Sequence, residues 1–150
     1  MSVIYSDAWY EDMKALINGS AELGKMAPAT RIATSLEVVG DGASPYVPKD
    51  GALYFLLVIE HGKVAEFRPL PGRHDGAGLN FRFTAPATVW ESVAAGQTDP
   101  IKAGLRGEIK VRGDMRFLMQ NADAVKLAID LYANQVTTDW PLGRPPYARG

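Results

Sequence analysis

Cysteine is absent from the 150 residues. That excludes a disulfide framework, a thiolate nucleophile and a thiolate metal site, and it is compatible with a reducing compartment. An excess of one charge sign is missing too. The formal net charge is −1, whereas a nucleic-acid-binding domain shows a basic excess or stripe, so no nucleic-acid partner is expected. Long apolar runs are also lacking: the longest, Ala52 to Ile59, is far shorter than the roughly 20 residues that span a bilayer. The opening stretch has neither a basic start nor an apolar core segment and does not read as a secretory signal. Histidine is scarce. His61 and His74 are too few and too separated for a usual metal site unless carboxylates join them. No metal and no cofactor are expected.

What is present suffices for one core. Hydrophobic residues make up 47% of the chain, and the length fits a single domain. Ser6 or Asp7 caps a helix whose apolar positions Trp9, Met13, Leu16 and Ile17 share one face. Asn18-Gly19-Ser20 breaks it, and Ala21 to Ala29 is ambiguous, with room for a further short helix. Thr34 to Val39 favours a strand, ended by Gly40-Asp41-Gly42. Ala43 to Asp50, with Pro45 and Pro48, reads as a loop. Ala52 to Ile59 reads as a strand buried on both faces, because alternation is nearly lost. His61-Gly62 is a tight hairpin turn, and Val64 to Leu70 is the return strand, with Val64 and Phe67 as its core positions. Pro71 to Gly78 is a glycine-rich loop. Leu79 to Thr84 alternates, with Leu79, Phe81 and Phe83 on one side and Asn80 and Arg82 on the other.

The stretch from Phe81 to Met119 carries the strongest punctuation. Pro86 suits the first turn of a short helix, where its missing N–H would be unpaired anyway, and Gly96 closes that helix. Asp99-Pro100 starts a second short helix as N-cap and first helical residue, and Gly107 ends it. Glu108 to Arg112 alternates as a half-buried strand, and Gly113-Asp114 turns the chain into a last helix. Met115, Leu118, Ala122, Val125, Ile129 and Tyr132 form its stripe, widened by Met119, Leu127 and Leu131. So wide an apolar face needs something extra to cover it, and Asn121-Ala122-Asp123 is a place to kink or restart. The coarse count is about five strands and four or five helices, which predicts an α+β fold: a mostly antiparallel sheet with helices on one face. Residues 1–135 read as the folded domain and 136–150 as a proline-containing tail. Trp140 and Tyr147 give that tail the means to lie across the domain as a lid, or to reach a second copy as a dimer arm; a free tail is the alternative.

This order of elements resembles the sterol carrier protein 2 family. The resemblance rests on Val89-Trp90 through Gly96, Thr98-Asp99-Pro100-Ile101-Lys102-Ala103, Leu105-Arg106-Gly107, and Ile109-Lys110-Val111-Arg112-Gly113-Asp114-Met115. Weaker echoes of small bacterial single-domain members run through Tyr5-Ser6-Asp7-Ala8-Trp9 and from Tyr54 to Lys63. None of these motifs is catalytic. The resemblance implies an apolar tunnel between sheet and helices for a hydrophobic ligand. The residues expected to line it are Phe55, Leu57, Phe67, Phe83, Trp90, Val93, Ile101, Leu105, Met115, Leu118, Met119 and Leu127, with Phe117 among the same aromatic and methionine set. For any single member of that aromatic and methionine set, ordinary core packing is an equal reading. The chain ends Ala148-Arg149-Gly150 rather than in the peroxisomal tripeptide of many eukaryotic members, and the expected location is the cytoplasm.

Groups with chemistry are few. Trp90 reads equally as a ligand contact or as core with its indole N–H bonded to backbone. His61 reads as a solvated turn residue. His74 beside Asp75 has the makings of an oriented imidazole, although sequence neighbours seldom face each other in that way. Ser35 and Ser92 sit in no nucleophile-elbow pattern, and the glycines at 72, 76 and 78 form no phosphate loop. Lys102, Arg106, Lys110, Arg112 and Arg116 make a basic cluster suited to an anionic head group or membrane surface, or else a solvated face with Glu108 and Asp114 interleaved. Two functions follow. One is a non-catalytic carrier of a fatty acid, acyl thioester or sterol-like lipid, with transient membrane contact and homodimerisation as open readings. The other is a small enzyme, or an accessory subunit of one, acting on a hydrophobic substrate through His74, Asp75 or Glu60. A titratable group facing the pocket would distinguish them.

Overall fold

The chain runs β1 (Ser2–Val3), α1 (Asp7–Asn18), α2 (Ala21–Met26), β2 (Ile32–Val39), β3 (Ala52–Glu60), β4 (Lys63–Leu70), β5 (Phe81–Pro86), α3 (Ala87–Ala94), α4 (Pro100–Leu105), β6 (Lys110–Gly113), α5 (Met115–Gln120), α6 (Ala122–Asp130) and β7 (Thr138–Asp139). The computed structural model describes residues 2–26, 30–131 and 138–147, apart from the side chains at 100, 101, 125 and 129.

The hairpin turn organises the sheet. His61 and Gly62 both take positive φ, 50° and 76°, as the favoured two-residue hairpin requires, and His is among the side chains that tolerate that region. β3 pairs antiparallel with β2 and β4, and β6 antiparallel with β5, while β5 lies parallel to β2. The strand order is β4-β3-β2-β5-β6, so the sheet is mostly antiparallel, as expected. The single parallel pair separates two antiparallel blocks. Gly113 lets β6 come close to the start of β5. Its φ is 140°, and a Cβ there would lie 2.3 Å from Phe81 Cδ1 and 2.5 Å from Asn80 O.

The helices collect on one face. Trp9, Tyr10 and Met13 of α1 pack with Val38 and Phe55. Ile17, Leu23 of α2 and Ala124 of α6 pack with Val64. Ala103 of α4 packs with Ala85 and Ile109. On the other face Ala33, Leu56 and Val58 are covered by Leu70 and Leu79. Leu79 therefore lies opposite to the side expected. The turn Leu79 N–H to Gly76 O, at 3.2 Å, with Gly78 at φ 74°, delays the strand to Phe81, and alternation holds only from there.

The last helix departs from the expected stripe. Asp114 caps α5 by accepting from Phe117 N–H at 3.2 Å, and Asn121, at φ −111°, divides α5 from α6, as the sequence allows. The side chains turned to the cavity described below are Phe117, Leu118, Asn121, Ala124 and Ala128, while Leu127 and Leu131 of the expected stripe pack against Ile17, Leu23 and Val64. Met115 is two residues before Phe117, about 200° away on a helical wheel, and points outward, as does Met119. Val125, Ile129 and Tyr132 of the expected stripe lie outside the described side chains.

Residues 138–147 lie against the domain. β7 pairs parallel with β1, Ile4 N–H donates to Asp139 O at 3.2 Å, and the Trp9 indole donates to Thr138 Oγ1 at 3.0 Å. Tyr46 packs edge-on to Trp140, donates to Gly143 O and accepts from Leu142 N–H. Arg144 donates to Ala95 O at 2.7 Å. The rest of the tail, at 136–137 and 148–150, falls outside the described residues. Among the described residues no helix is long and apolar enough to cross a membrane.

Candidate functional site: an apolar cavity between sheet and helices

A cavity of about 330 Å³ lies between the sheet and the helices. Its floor follows from strand alternation: Leu36 and Val38 of β2, Phe55 and Leu57 of β3, Phe67 of β4, Phe81 and Phe83 of β5 and Val111 of β6 all point to this face. Trp9, Tyr10 and Met13 of α1, Trp90 and Val93 of α3, and Phe117, Leu118 and Ala124 from α5 and α6 close it. Aromatic packing stiffens one end, where Tyr10 sits 4.9 Å from Phe55 and 5.0 Å from Phe67, centroid to centroid.

Several of the polar side chains on the wall direct their hydrogen-bonding groups to other parts of the protein. Trp90 Nε1 donates to Glu37 O at 3.0 Å, so this side chain presents its ring to the cavity and its N–H to backbone, combining the two roles the sequence left open. Trp9 Nε1 is held by Thr138, and Asn121 Nδ2 by Phe117 O at 2.9 Å. Among the described residues of the wall there is no Asp, Glu, His, Lys or Arg.

Of the twelve residues expected to line such a space, Phe55, Leu57, Phe67, Phe83, Trp90, Val93 and Leu118 stand on its wall. Leu105, Met115 and Met119 do not. They are 82%, 50% and 71% exposed, because each projects from the outward side of its short helix. Leu127 packs instead beside the cluster of Ile17, Leu23, Val64 and Ala124. The Ile101 side chain lies outside the described residues. Sequence reasoning missed Tyr5, Tyr10, Leu36, Val38, Phe81 and Val111 as wall residues. Alternation along the strands was the signal for the last four, once the inward face was known.

Beside the cavity lies a polar knot that no motif announced. Glu91 of α3 is fully buried. Its carboxylate accepts hydrogen bonds from Tyr5 OH at 2.7 Å, Ser44 Oγ at 2.8 Å and Tyr147 OH at 2.5 Å. Burial raises Glu91 above its ordinary value of 4.5, outweighing the hydrogen bonds from Tyr147, Tyr5 and Ser44, and the negative charge of Asp41 pushes the same way. The Tyr147 phenol is pushed upward by burial and then by its bond to Glu91, and remains a donor. Tyr5 also lines the cavity, so the knot and the wall share a side chain.

Glu60, His74 and Asp75 stay apart from the cavity. Glu60 pairs with Arg31 at 3.3 Å on the surface. His74 Nδ1 lies 3.4 Å from Asp75 Oδ1 but accepts from Gly76 N–H at 3.0 Å, an arrangement in which Nδ1 offers a lone pair and not a proton. Lys102, Arg106, Lys110, Arg112 and Arg116 are exposed, and Arg106 pairs with Glu108 at 3.0 Å.

The fold is shared with solved structures. Crystalline sterol carrier protein 2 superposes with a TM-score of 0.72 at 21% identity, over 87% of this chain and 98% of that one. A conserved hypothetical protein of Thermus thermophilus, described as possibly a sterol carrier protein, gives 0.75 at 20% identity, over 93% and 94%. The sterol carrier protein domain 2 of Helicoverpa armigera gives 0.53 at 18%, over 88% and 91%. No curated protein matches the sequence. The SCP-2 sterol transfer family pattern matches residues 47–126, more than half of the 150 residues. That span carries the hairpin, the two short helices after β5 and the β6-to-α5 turn, and the chain belongs to the SCP-2 sterol transfer family.

Proposed function

We propose that this protein binds a hydrophobic small molecule, a fatty acid, acyl thioester or sterol-like lipid, in the cavity between sheet and helices, and carries it without chemistry of its own. The observation that carries this reading is the wall: about 330 Å³ of space bounded by rings and aliphatic chains, with no ionisable Asp, Glu, His, Lys or Arg among its described residues. Removing a chain of about ten carbons from water contributes about 8 kcal/mol gross at roughly 0.8 kcal/mol per CH₂, before ordering costs. That suffices for micromolar affinity with no specific polar contact. Family membership supports a lipid-binding or lipid-transfer role. The enzyme alternative loses its motive in the positions of His74, Asp75 and Glu60, none of which reaches the cavity. In this reading residues 1–135 form the binding body and 136–150 the tail, of which the described part, residues 138–147, is a strap over the Tyr5 and Trp9 end. Exposed Leu105 and Met119, with Lys102, Arg106 and Arg116 nearby in the sequence, offer a surface for brief contact with a membrane during loading.

Native mass spectrometry of freshly purified protein tests the reading. The expected result is an added mass that organic extraction removes, replaced by saturable uptake of a fluorescent fatty acid. Protein that carries no added mass and takes up no fatty acid would sink it.

A further inference from the structure

A second cavity, of about 630 Å³, opens at the paired start of β5 and end of β6, walled by the loop after β4. It shares only Phe81 with the apolar cavity, and its character is opposite. Arg73, Arg82 and Arg112 line it together with His74, Asp75 and Asn80.

The charges in it do not balance. Arg82 and Arg112 are register partners across β5 and β6, which sets their side chains on one face within reach of each other, an arrangement that costs stability for like charges. Arg82 is compensated. Its Nη1 lies 3.3 Å from Glu37 Oε2 and its Nη2 donates to His74 O at 2.8 Å. Arg73 approaches the same Glu37 oxygen through Nε at 3.0 Å, and Thr84 Oγ1 donates to the other oxygen at 2.9 Å. One buried carboxylate thus serves two guanidinium groups and a hydroxyl. The Asp75 carboxylate accepts from Ala77 N–H at 2.8 Å. Arg112 has no ion-pair or hydrogen-bond partner among the described residues, and Lys110, on the same face of β6 two residues away, has none either. Of Arg73, only Nε is engaged. Cations on an edge strand discourage pairing with another chain, but that role asks for neither a cleft nor a second arginine beside them.

We propose that this cleft is a binding site for a small molecule bearing an oxyanion, phosphate or carboxylate, held by Arg112 and the terminal amino groups of Arg73. A guanidinium presents two parallel N–H donors that fit the paired oxygens of either group, and the ligand supplies the missing negative charge between Arg82 and Arg112. The site is independent of the lipid-carrier reading.

The test is a titration of the ¹⁵N-labelled full chain with inorganic phosphate and, separately, with acetate, at ionic strength held constant with chloride. The expected result is saturable shifts of the arginine Nε–H signals of Arg73, Arg82 and Arg112 and of the amides of Gly76 and Gly113. Arg112→Gln is exposed and should fold normally; it should weaken binding about tenfold or more, while Arg106→Gln leaves it unchanged. Saturation by phosphate alone assigns a phosphoryl ligand; saturation by acetate assigns a carboxylate. Shifts that do not saturate, that spread over all basic residues, or that persist at equal affinity in Arg112→Gln would overturn the proposal.

Discussion

The phenol of Tyr147 donates a hydrogen bond to Glu91 Oε1 at 2.5 Å across 56 residues of sequence. It ties the tail to the helix that carries Trp90 on the cavity wall. Tyr5 and Ser44 complete the same carboxylate, so the N-terminal segment, the loop after β2 and the tail all meet at one buried acid with no cation paired to it among the described residues.

Glu91 should make stability depend on pH. Its folded value is raised, so the neutral form is the one favoured in the fold. The contribution is complete below the ordinary value of 4.5 and is lost as pH rises through the raised folded value. Thermal midpoints of the wild type should therefore fall relative to Glu91→Gln as pH rises from 4.5 through the raised folded value; parallel curves for the two proteins across that window would contradict this. Glu91→Ala leaves three hydroxyls without their acceptor and should cost roughly 3 kcal/mol, read by urea denaturation.

Asp41 works in the other direction. Burial alone would raise it, but bonds from Thr88 Oγ1 and from the backbone N–H groups of Ser44, Thr88 and Ala43 together hold it below the usual 3.8. Its contribution is present above 3.8 and is lost as pH falls through the lowered folded value. By holding the Thr88 N–H in the first turn of α3, it acts as a cap supplied from a distant loop. Asp41→Ala should lower stability by about 1 kcal/mol at neutral pH, with the gap to wild type closing in acid.

Cavity residues and their exposed neighbours should separate in binding. Leu118→Ala and Trp90→Ala remove apolar wall and should weaken uptake of a fluorescent fatty acid about fivefold or more. Met119→Ala, on the outer side of the same helix as Leu118, should leave it unchanged. Equal losses in Leu118→Ala and Met119→Ala would mean that the ligand sits outside the cavity.

Removing residues 138–150 tests the strap. The deletion frees the Trp9 indole from Thr138 and Tyr46 from Trp140. The expected outcome is a red-shifted tryptophan emission and a faster ligand off-rate at unchanged mass in solution. A halved mass would make the tail a dimer arm, and unchanged emission and off-rate would deny it any closing role.

Short-range chemistry determined much of this protein from the sequence alone. Positive φ at His61-Gly62, the Asp114 cap, the break at Asn121 and the glycine stops after α3 and α4 depend on residues within a turn of each other. The hairpin, the helix starts and the family pattern were therefore legible. The tertiary structure decided the rest, because the deciding neighbours are remote. Leu79 changed faces because the preceding turn delayed β5 to Phe81. Met115 and Met119 faced outward because the rotation of α5 brought Phe117 and Leu118 against the sheet. The Glu91 knot needed three donors from segments far apart in sequence, and the pairing of Arg82 with Arg112 needed the β5–β6 register. Hydrophobic pattern and turn chemistry act over a few residues and select elements; which side chains then share a cavity or a charge is set by packing between elements, which no local spacing encodes.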